Sequence, residues 1–318
     1  MKQNNKSLLI IIILVIILAL ALFLQETPNN NYVQNQDNFS EIQVAQNENT
    51  VQTENNVITP ISPELKIHFL YVGQGDCIFV ENDGQTMLID AGNNPDGKFV
   101  SKYLKRKLGI KKIDYLIGTH AHEDHIGGID IIIEDFDIGT FYMPSKTSQN
   151  KCYTDIVSLV NKNGMEIISP EVGTKFNVGK AQCEIMTKND NAEDYNETSI
   201  VVEMTFGNQK FLFTGDMETE NEESRNWNDI DVLKVAHHGS TYSTSAQFLN
   251  EIKPEIAVIM CGKDNDYYYP HEKLIERLKK SGCKEIYITS ESGTILLTSD
   301  GVSSKVETFE ELSFDGNI

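Results

Sequence analysis

Six of the seven histidines fall in three short stretches far apart in the chain, 120–125, 237–238 and 271. Each stretch follows an apolar, strand-like run and its turn residues. Scattered surface histidines would not cluster this way, so a fold that uses them must bring the ends of distant strands to one place. Only His68 stands apart, inside a strand-like run.

The runs themselves suggest how this happens. Short apolar segments at 65–72, 77–81 and 86–89, broken by GQGD and NDG, read as an antiparallel meander. The period then changes to that of a helix over 98–108, with Phe99, Tyr103 and Leu104 on one face and Gly109 as its stop. A strand at 114–119, a helix at 127–135, a strand at 140–143 and a helix at 153–161 follow. The second half repeats that grammar, with strands at 183–187, 200–206, 210–213, 232–235 and 256–260 and helices at 244–252 and 271–280. Strands at 285–289 and 294–298 close it. Two strand-rich halves, each ending in helices, fit two sheets packed face to face with helices outside, so that loops at one edge pool distant residues.

This folded part is expected over residues 64–318. Ahead of it, 8–24 is an unbroken run of 17 apolar residues preceded by Lys2 and Lys6. At 1.5 Å per residue the run covers about 25 Å, near the hydrocarbon thickness of a bilayer. Residues 1–24 are therefore read as a signal or transmembrane anchor, uncleaved in preference to cleaved, with the lysines cytoplasmic and the rest of the chain outside. Cleavage would make it a secreted protein. The next segment, 25–58, has 15 Asn or Gln among 34 residues and no Lys or Arg, too polar to bury a face. It reads, up to residue 63, as a flexible linker. With 27 basic and 47 acidic residues the net charge is −20, which gives no general attraction to nucleic acid or anionic lipid. A local exception is 98–112, with seven Lys or Arg and no acid. The five cysteines are odd in number and lack any C-x-x-C, so they read as buried thiols.

The first histidine stretch is THAHEDHIGG, residues 119–128. Alternate residues of an extended segment share a face, so His120 and His122 can reach one metal ion, while Asp124 and His125 reach a neighbouring one. In FTGD, Asp216 ends an apolar strand, where a carboxylate able to bridge two ions would sit. In KVAHHGS, adjacent histidines of a β segment face opposite ways, so His237 is expected as a ligand of the second ion. His238 would orient substrate or support the ligands, with the reverse assignment open. His271 opens a helix, where it could meet an anionic oxygen. Two divalent ions, Zn²⁺ or Mn²⁺, sharing a water would serve phosphoester hydrolysis. Asp124 would accept a proton from that water, and His271 or His238 would protonate the leaving oxygen. Ser240 and Asn265 are expected to bind substrate. No G-x-S-x-G, Walker-type loop or clean G-x-G-x-x-G supports a rival scheme.

Taken together, VGQGD, THAHEDHIGG, FTGD, KVAHHGS and CGKDNDYYYPH resemble the metallo-β-lactamase superfamily, and within it the hydrolase domain of ComEC-like competence proteins. The resemblance covers most of residues 65–300. It implies an α/β fold of four layers, an αββα sandwich, with a dinuclear metal site. His120, His122, Asp124, His125, Asp216 and His237 hold the ligand positions, and His271 matches the late histidine. No histidine occurs between Ile126 and Ala236, where lactamases and thioesterases of the superfamily have one; instead there is YNETSIVV with Asn196. That argues against lactam and thioester substrates and implies that the first ion is one protein ligand short.

The expected activity is that of a metal-dependent phosphodiesterase or nuclease outside the cytoplasmic membrane, acting on a phosphodiester polymer such as single-stranded DNA in connection with uptake. A second reading is a phosphoester hydrolase of cell-wall polymers. A third, of another class, is a non-catalytic accessory of DNA uptake.

Overall fold

The computed structural model describes residues 60–309. The expected anchor over 1–24, nearly all of the expected linker over 25–63 and the last nine residues lie outside the described residues. Among the described residues no helix is long and apolar enough to cross a membrane.

The meander comes first. Strands β1 (Leu65–Phe69), β2 (Ile78–Asn82) and β3 (Gln85–Ile89) pair antiparallel in sequence. Helix α1 (Gly97–Lys102) then carries the chain across to β4 (Lys112–Ile117), which pairs parallel to β3. A one-turn helix α2 (Glu123–Ile126) and α3 (Ile129–Asp135) lead to β5 (Asp137–Tyr142), parallel to β4. Helix α4 (Lys151–Lys162) follows, and a two-residue strand β6 (Ile167–Ile168) continues the parallel edge.

The second sheet repeats the plan. Strands β7 (Lys175–Val178), β8 (Ala181–Thr187), β9 (Val201–Phe206) and β10 (Gln209–Phe213) are antiparallel. Parallel strands β11 (Val232–Lys234), β12 (Ile256–Ile259) and β13 (Glu285–Ile288) follow, joined by helices α5 (Ala246–Ile252) and α6 (Glu272–Lys280). The chain then returns to the first sheet through β14 (Thr294–Ser299) and β15 (Ser304–Phe309). The orders are β15-β14-β1-β2-β3-β4-β5-β6 and β13-β12-β11-β10-β9-β8-β7.

Three buried clusters account for the four layers. One lies between the sheets, with Ile67, Val80, Met87, Val202 and Phe211 among its members. A second seats the helices α1, α3 and α4 on the first sheet through Val100, Ile129, Ile132 and Ile156. The third seats α5 and α6 on the second through Phe248, Leu249, Leu274 and Leu278. The fold is thus the expected αββα sandwich. Strands β7 and β15 carry no apolar run: they alternate buried or half-buried with exposed residues, which hid them in the sequence.

Parallel strands send their carboxyl ends the same way, and ligand sites of α/β folds gather there. Here the carboxyl ends of β3, β4, β10, β11 and β12 lead directly into Asp90, Thr119-His120, Thr214-Gly215-Asp216, His237-His238 and the 261–271 loop. Of the five cysteines, Cys77, Cys152, Cys183 and Cys261 are buried and none is in a disulfide.

Candidate metal centre

The strand ends converge. Asp216 Oδ2 lies 3.2 Å from His125 Nε2, 3.4 Å from His238 Nε2, 3.9 Å from His237 Nε2 and 4.0 Å from His120 Nε2. Asp124 Oδ2 is 3.1 Å from His238 Nε2 and 3.9 Å from His125 Nε2. His122 faces His120, Nδ1 to Nε2, at 3.0 Å. Asp124, His122 and Asp216 line a cavity of about 360 Å³ together with Gln74, Tyr267 and Tyr269.

Which ring atom carries the proton follows from the partners behind each ring. Asp90 Oδ2 accepts from His125 Nδ1–H at 2.8 Å, since a carboxylate can only accept. The same oxygen takes the Thr119 hydroxyl proton at 2.7 Å, and Oδ1 takes the Thr119 N–H at 2.8 Å. Having donated its one proton, the Thr119 hydroxyl must accept from His120 Nδ1–H, 3.1 Å away. His238 Nδ1–H donates to the Met260 carbonyl at 2.8 Å. All three buried rings therefore turn Nε2 toward the same point. Metal-ligating histidines are held in this way, by a carboxylate or carbonyl behind the ring.

The surrounding carboxylates favour positive charge at two of these rings, carried either by a proton on Nε2 or by a metal ion that displaces it. Burial alone would depress the His125 and His238 pKa values, but Asp216, together with Asp124 and, at His125, Asp90, raises both well above the ordinary range. Burial likewise opposes ionisation of Asp216, yet the cationic rings of His125 and His238 hold its carboxyl well below the usual carboxylate range. His120, desolvated and beside His125, is pushed well below the histidine range and stays neutral. Asp216 Oδ1 is buried and has no hydrogen-bond partner. Asp216 Oδ2 among the inward-facing Nε2 atoms of His120, His125 and His238 is a donor set that suits a divalent cation such as zinc.

Three residues that the sequence reading did not single out complete the cradle. Asp90 orients His125 as described. Lys234, buried at the end of β11, pairs with Asp76 and donates to the Gly215 carbonyl at 2.9 Å, fixing the turn that carries Asp216. Asp76 donates its N–H to the Asp124 carbonyl at 3.1 Å. A Cβ on Gly75 would lie 2.4 Å from that carbonyl oxygen, so the GQGD turn abuts the Asp124 backbone. VGQGD and the buried lysine of DVLKVA were the available signals. Gln74 of the same turn gives its Oε1 to the Gly262 N–H at 3.1 Å, while its buried Nε2 has no partner.

The geometry corrects several expectations. His238, not His237, meets Asp124, His125 and Asp216 closely. The alternation rule fails because neither residue is β: both have left-handed backbone, φ 49° and 53°, which swings the second ring inward. His237 instead stands 3.0 Å from Glu218 Oε1 and 3.4 Å from the Tyr269 hydroxyl. His271 caps α6 and its Nδ1 accepts the Thr241 N–H at 3.1 Å, so Tyr269 rather than His271 faces the cavity. Ser240 is fully buried and its Oγ accepts from Tyr242 N–H at 3.3 Å. Asn265 spends its amide on its own loop, donating to Gly262 and Tyr269 carbonyls and accepting from Tyr267 and Tyr269 N–H groups. Neither Ser240 nor Asn265 lines the cavity. The YNETS segment brings Ser199, whose Oγ accepts the Asp216 N–H at 3.0 Å and lies 3.4 Å from His120 Nδ1. Asn196 donates to Glu218 at 3.2 Å.

A two-sheet sandwich with a histidine and aspartate cradle at the carboxyl ends of its parallel strands is the architecture of metal-dependent hydrolases of one superfamily. Residues 70–263 match the Lactamase_B family, the metallo-beta-lactamase superfamily, and the chain belongs to it. Its curated relatives place it beside the ComEC-like competence proteins. ComE operon protein 3 of Bacillus subtilis is 29% identical over 74% of this chain and 33% of that protein. Recombination protein 2 of Haemophilus influenzae is 29% identical over 69% of this chain and 27% of that protein. The chain thus spans about a third or less of the length of these relatives. Among solved structures, the metallo-beta-lactamase fold protein YhfI from Bacillus subtilis superposes with a TM-score of 0.50 at 12% identity, over 74% of this chain and 99% of that one.

Proposed function

We propose that this chain is a dinuclear, metal-dependent phosphodiesterase whose substrate is single-stranded DNA, held outside the cytoplasmic membrane by its apolar N-terminal run. The observation that carries the reading is the set of three Nε2 atoms and two carboxylates turned to one point beneath an open cavity. His120, His122 and Asp216 would hold one ion, and Asp124, His125, His238 and Asp216 the other, with His238 replacing His237 in the sequence-based set. Such a pair of ions supplies a nucleophile at neutral pH and a clamp for phosphoryl oxygens.

The chain's own groups divide the remaining work. Asp90, Thr119 and the Met260 carbonyl hold the three rings by Nδ1 so that each Nε2 faces the common point. The Tyr269 hydroxyl is an uncharged donor at the cavity wall, suited to a non-bridging phosphate oxygen. Burial raises the Tyr269 pKa, so the phenol remains a donor at neutral pH. Asp124, the more open of the two carboxylates, is placed to take the proton released when water attacks. The competence relatives support DNA as the polymer, and the two lysines ahead of the apolar run support an outward-facing domain.

The test is to purify the full chain, measure bound Mn²⁺ and Zn²⁺, and assay bis(p-nitrophenyl) phosphate and single-stranded DNA. We expect about two ions per chain and metal-dependent hydrolysis of both substrates, with Asp124→Asn lowering metal content and rate together. A chain that binds neither metal overturns the reading.

A further inference from the structure

We propose that Tyr267 and Tyr268, with Tyr242 on the adjoining loop, form a stacking platform at the cavity mouth that grips unpaired nucleobases and so selects single-stranded nucleic acid over base-free phosphodiester polymers. The inference rests on the phosphodiesterase reading and names the feature by which that site chooses its substrate.

Exposure is the first observation. Tyr268 is 84% exposed, Tyr242 72% and Tyr267 61%, the three most exposed large apolar side chains among the described residues. All three stand on the two loops that follow β11 and β12. These loops are tied together: His271 N–H donates to the Gly239 carbonyl at 3.0 Å, and Thr241 N–H donates to His271 Nδ1. Tyr267 lines the cavity, and these ties hold the loop of Tyr242 against the loop that carries Tyr267 and Tyr268.

The platform is also continuous with the site. Tyr267 stacks on Tyr269 at 5.4 Å with 15° between the planes, and Tyr269 meets the His237 ring edge-on at 5.6 Å. Tyr267 and Tyr269 both line the cavity. A base laid on Tyr267 thus extends a stack already begun by protein rings, with its phosphodiester reaching inward.

The loop is preorganised. Three of the four hydrogen bonds of the Asn265 amide fix the backbone of Tyr267 and Tyr269, the fourth reaches the Gly262 carbonyl, and Tyr268 sits at φ 58°, a conformation that tyrosine does not take without support. Rings held this way lose little freedom on binding. This also explains why Asn265, expected to touch substrate, instead acts through the tyrosines.

Charge argues for flat faces over a basic groove. Lys263 is the loop's one cation, beside Asp264 and Asp266, and the chain as a whole carries −20. Polyanion attraction is weak here, so stacking, which accepts any base, must supply the grip. A glycerol-phosphate polymer offers nothing to stack.

The test measures binding by fluorescence anisotropy, using the full chain in mild detergent with Mn²⁺. The probe is a labelled phosphorothioate oligothymidylate of about 12 nucleotides, which resists hydrolysis and spans a typical single-strand site. Its abasic counterpart and poly(glycerol phosphate) are compared. The Tyr267→Ala, Tyr268→Ala double variant should bind the oligothymidylate about 5- to 100-fold more weakly, and the double Phe variant should retain affinity, because stacking needs the ring and not the hydroxyl. Binding of the abasic strand and of poly(glycerol phosphate) should not change between variants. Oligothymidylate binding that ignores the Ala substitutions, or an equal loss for the abasic strand, overturns the platform. So does a wild type that prefers poly(glycerol phosphate). Bis(p-nitrophenyl) phosphate hydrolysis by the wild type is read alongside. Tyrosine-dependent binding without any hydrolysis overturns the phosphodiesterase reading and supports the platform, whereas hydrolysis with tyrosine-independent binding overturns the platform alone.

Discussion

Replacing Asp90 with Asn tests the tautomer argument at its root. The Asp90 carboxylate accepts three protons, from Thr119 N–H at 2.8 Å, the Thr119 hydroxyl at 2.7 Å and His125 Nδ1–H at 2.8 Å. An Asn keeps one accepting oxygen. If that oxygen stays on the Thr119 N–H, its NH₂ group faces two donors. The relief is for His125 to move its proton to Nε2 and accept at Nδ1, which places a proton on the atom that would ligate. The Thr119 hydroxyl can accept from the new NH₂, but it then competes with its bond from His120 Nδ1–H. One substitution disturbs two rings. Partners of this kind are each worth roughly 10- to 100-fold in metal affinity, so about 100-fold is expected for Asp90→Asn. Thr119→Val, which removes only the support behind His120 and one bond to Asp90, should cost about 10-fold. The double variant should fall short of the product, because the two share a network. Affinities would be read by competition with a zinc chelator, and the tautomers by ¹⁵N shifts of the imidazole nitrogens. Metal affinity within threefold of wild type for a folded Asp90→Asn protein would refute the reasoning.

Other expectations are as direct. His238→Ala should lose about one ion per chain while His237→Ala keeps both, and the reverse result by elemental analysis would restore the order expected from β alternation. Gly75→Ala places a methyl 2.4 Å from the Asp124 carbonyl oxygen, so the chain should fold with weakened metal binding; an unchanged affinity would show that the turn can yield. Glu197 gives a pH signature: burial raises its pKa from an ordinary 4.5 to about 7, so the folded state keeps a proton that the unfolded state releases. Below pH 4.5 there is no cost; it grows as pH rises towards 7 and is then constant, on the order of 1–3 kcal/mol. Urea unfolding at pH 5 and pH 8 should show this loss in wild type and not in Glu197→Gln, and equal losses in both would exclude Glu197 as the source.

Much of the centre was legible because its chemistry is local. THAHEDH puts four donor residues within six positions behind one strand, and FTGD ends another, so spacing along the chain already stood for proximity. Less was legible where backbone conformation broke the expected period. The pair His237-His238 follows no alternation because both residues are left-handed, a state that only contacts elsewhere, such as the Met260 carbonyl, sustain. His271 and Tyr269 exchanged roles because one imidazole nitrogen was claimed by the Thr241 amide across a loop junction.

What the sequence determined by itself was the strand and helix grammar, the fold class, and which residue types would gather at the strand ends. These depend on periodicity and short-range spacing, which a linear chain displays. What only the tertiary structure decided was which nitrogen of each ring faces inward, and that Asp90, Lys234 and Asp76 stand behind the site. Each of these is a polar residue with a partner 29 or more positions away, as Thr119 and His125 are from Asp90 and Asp76 is from Lys234, so spacing along the chain does not disclose the contact. Burial gives such a residue its meaning: a carboxylate that water would solvate indifferently becomes, in a dry strand end, the group that fixes a proton on one side of an imidazole and frees the other.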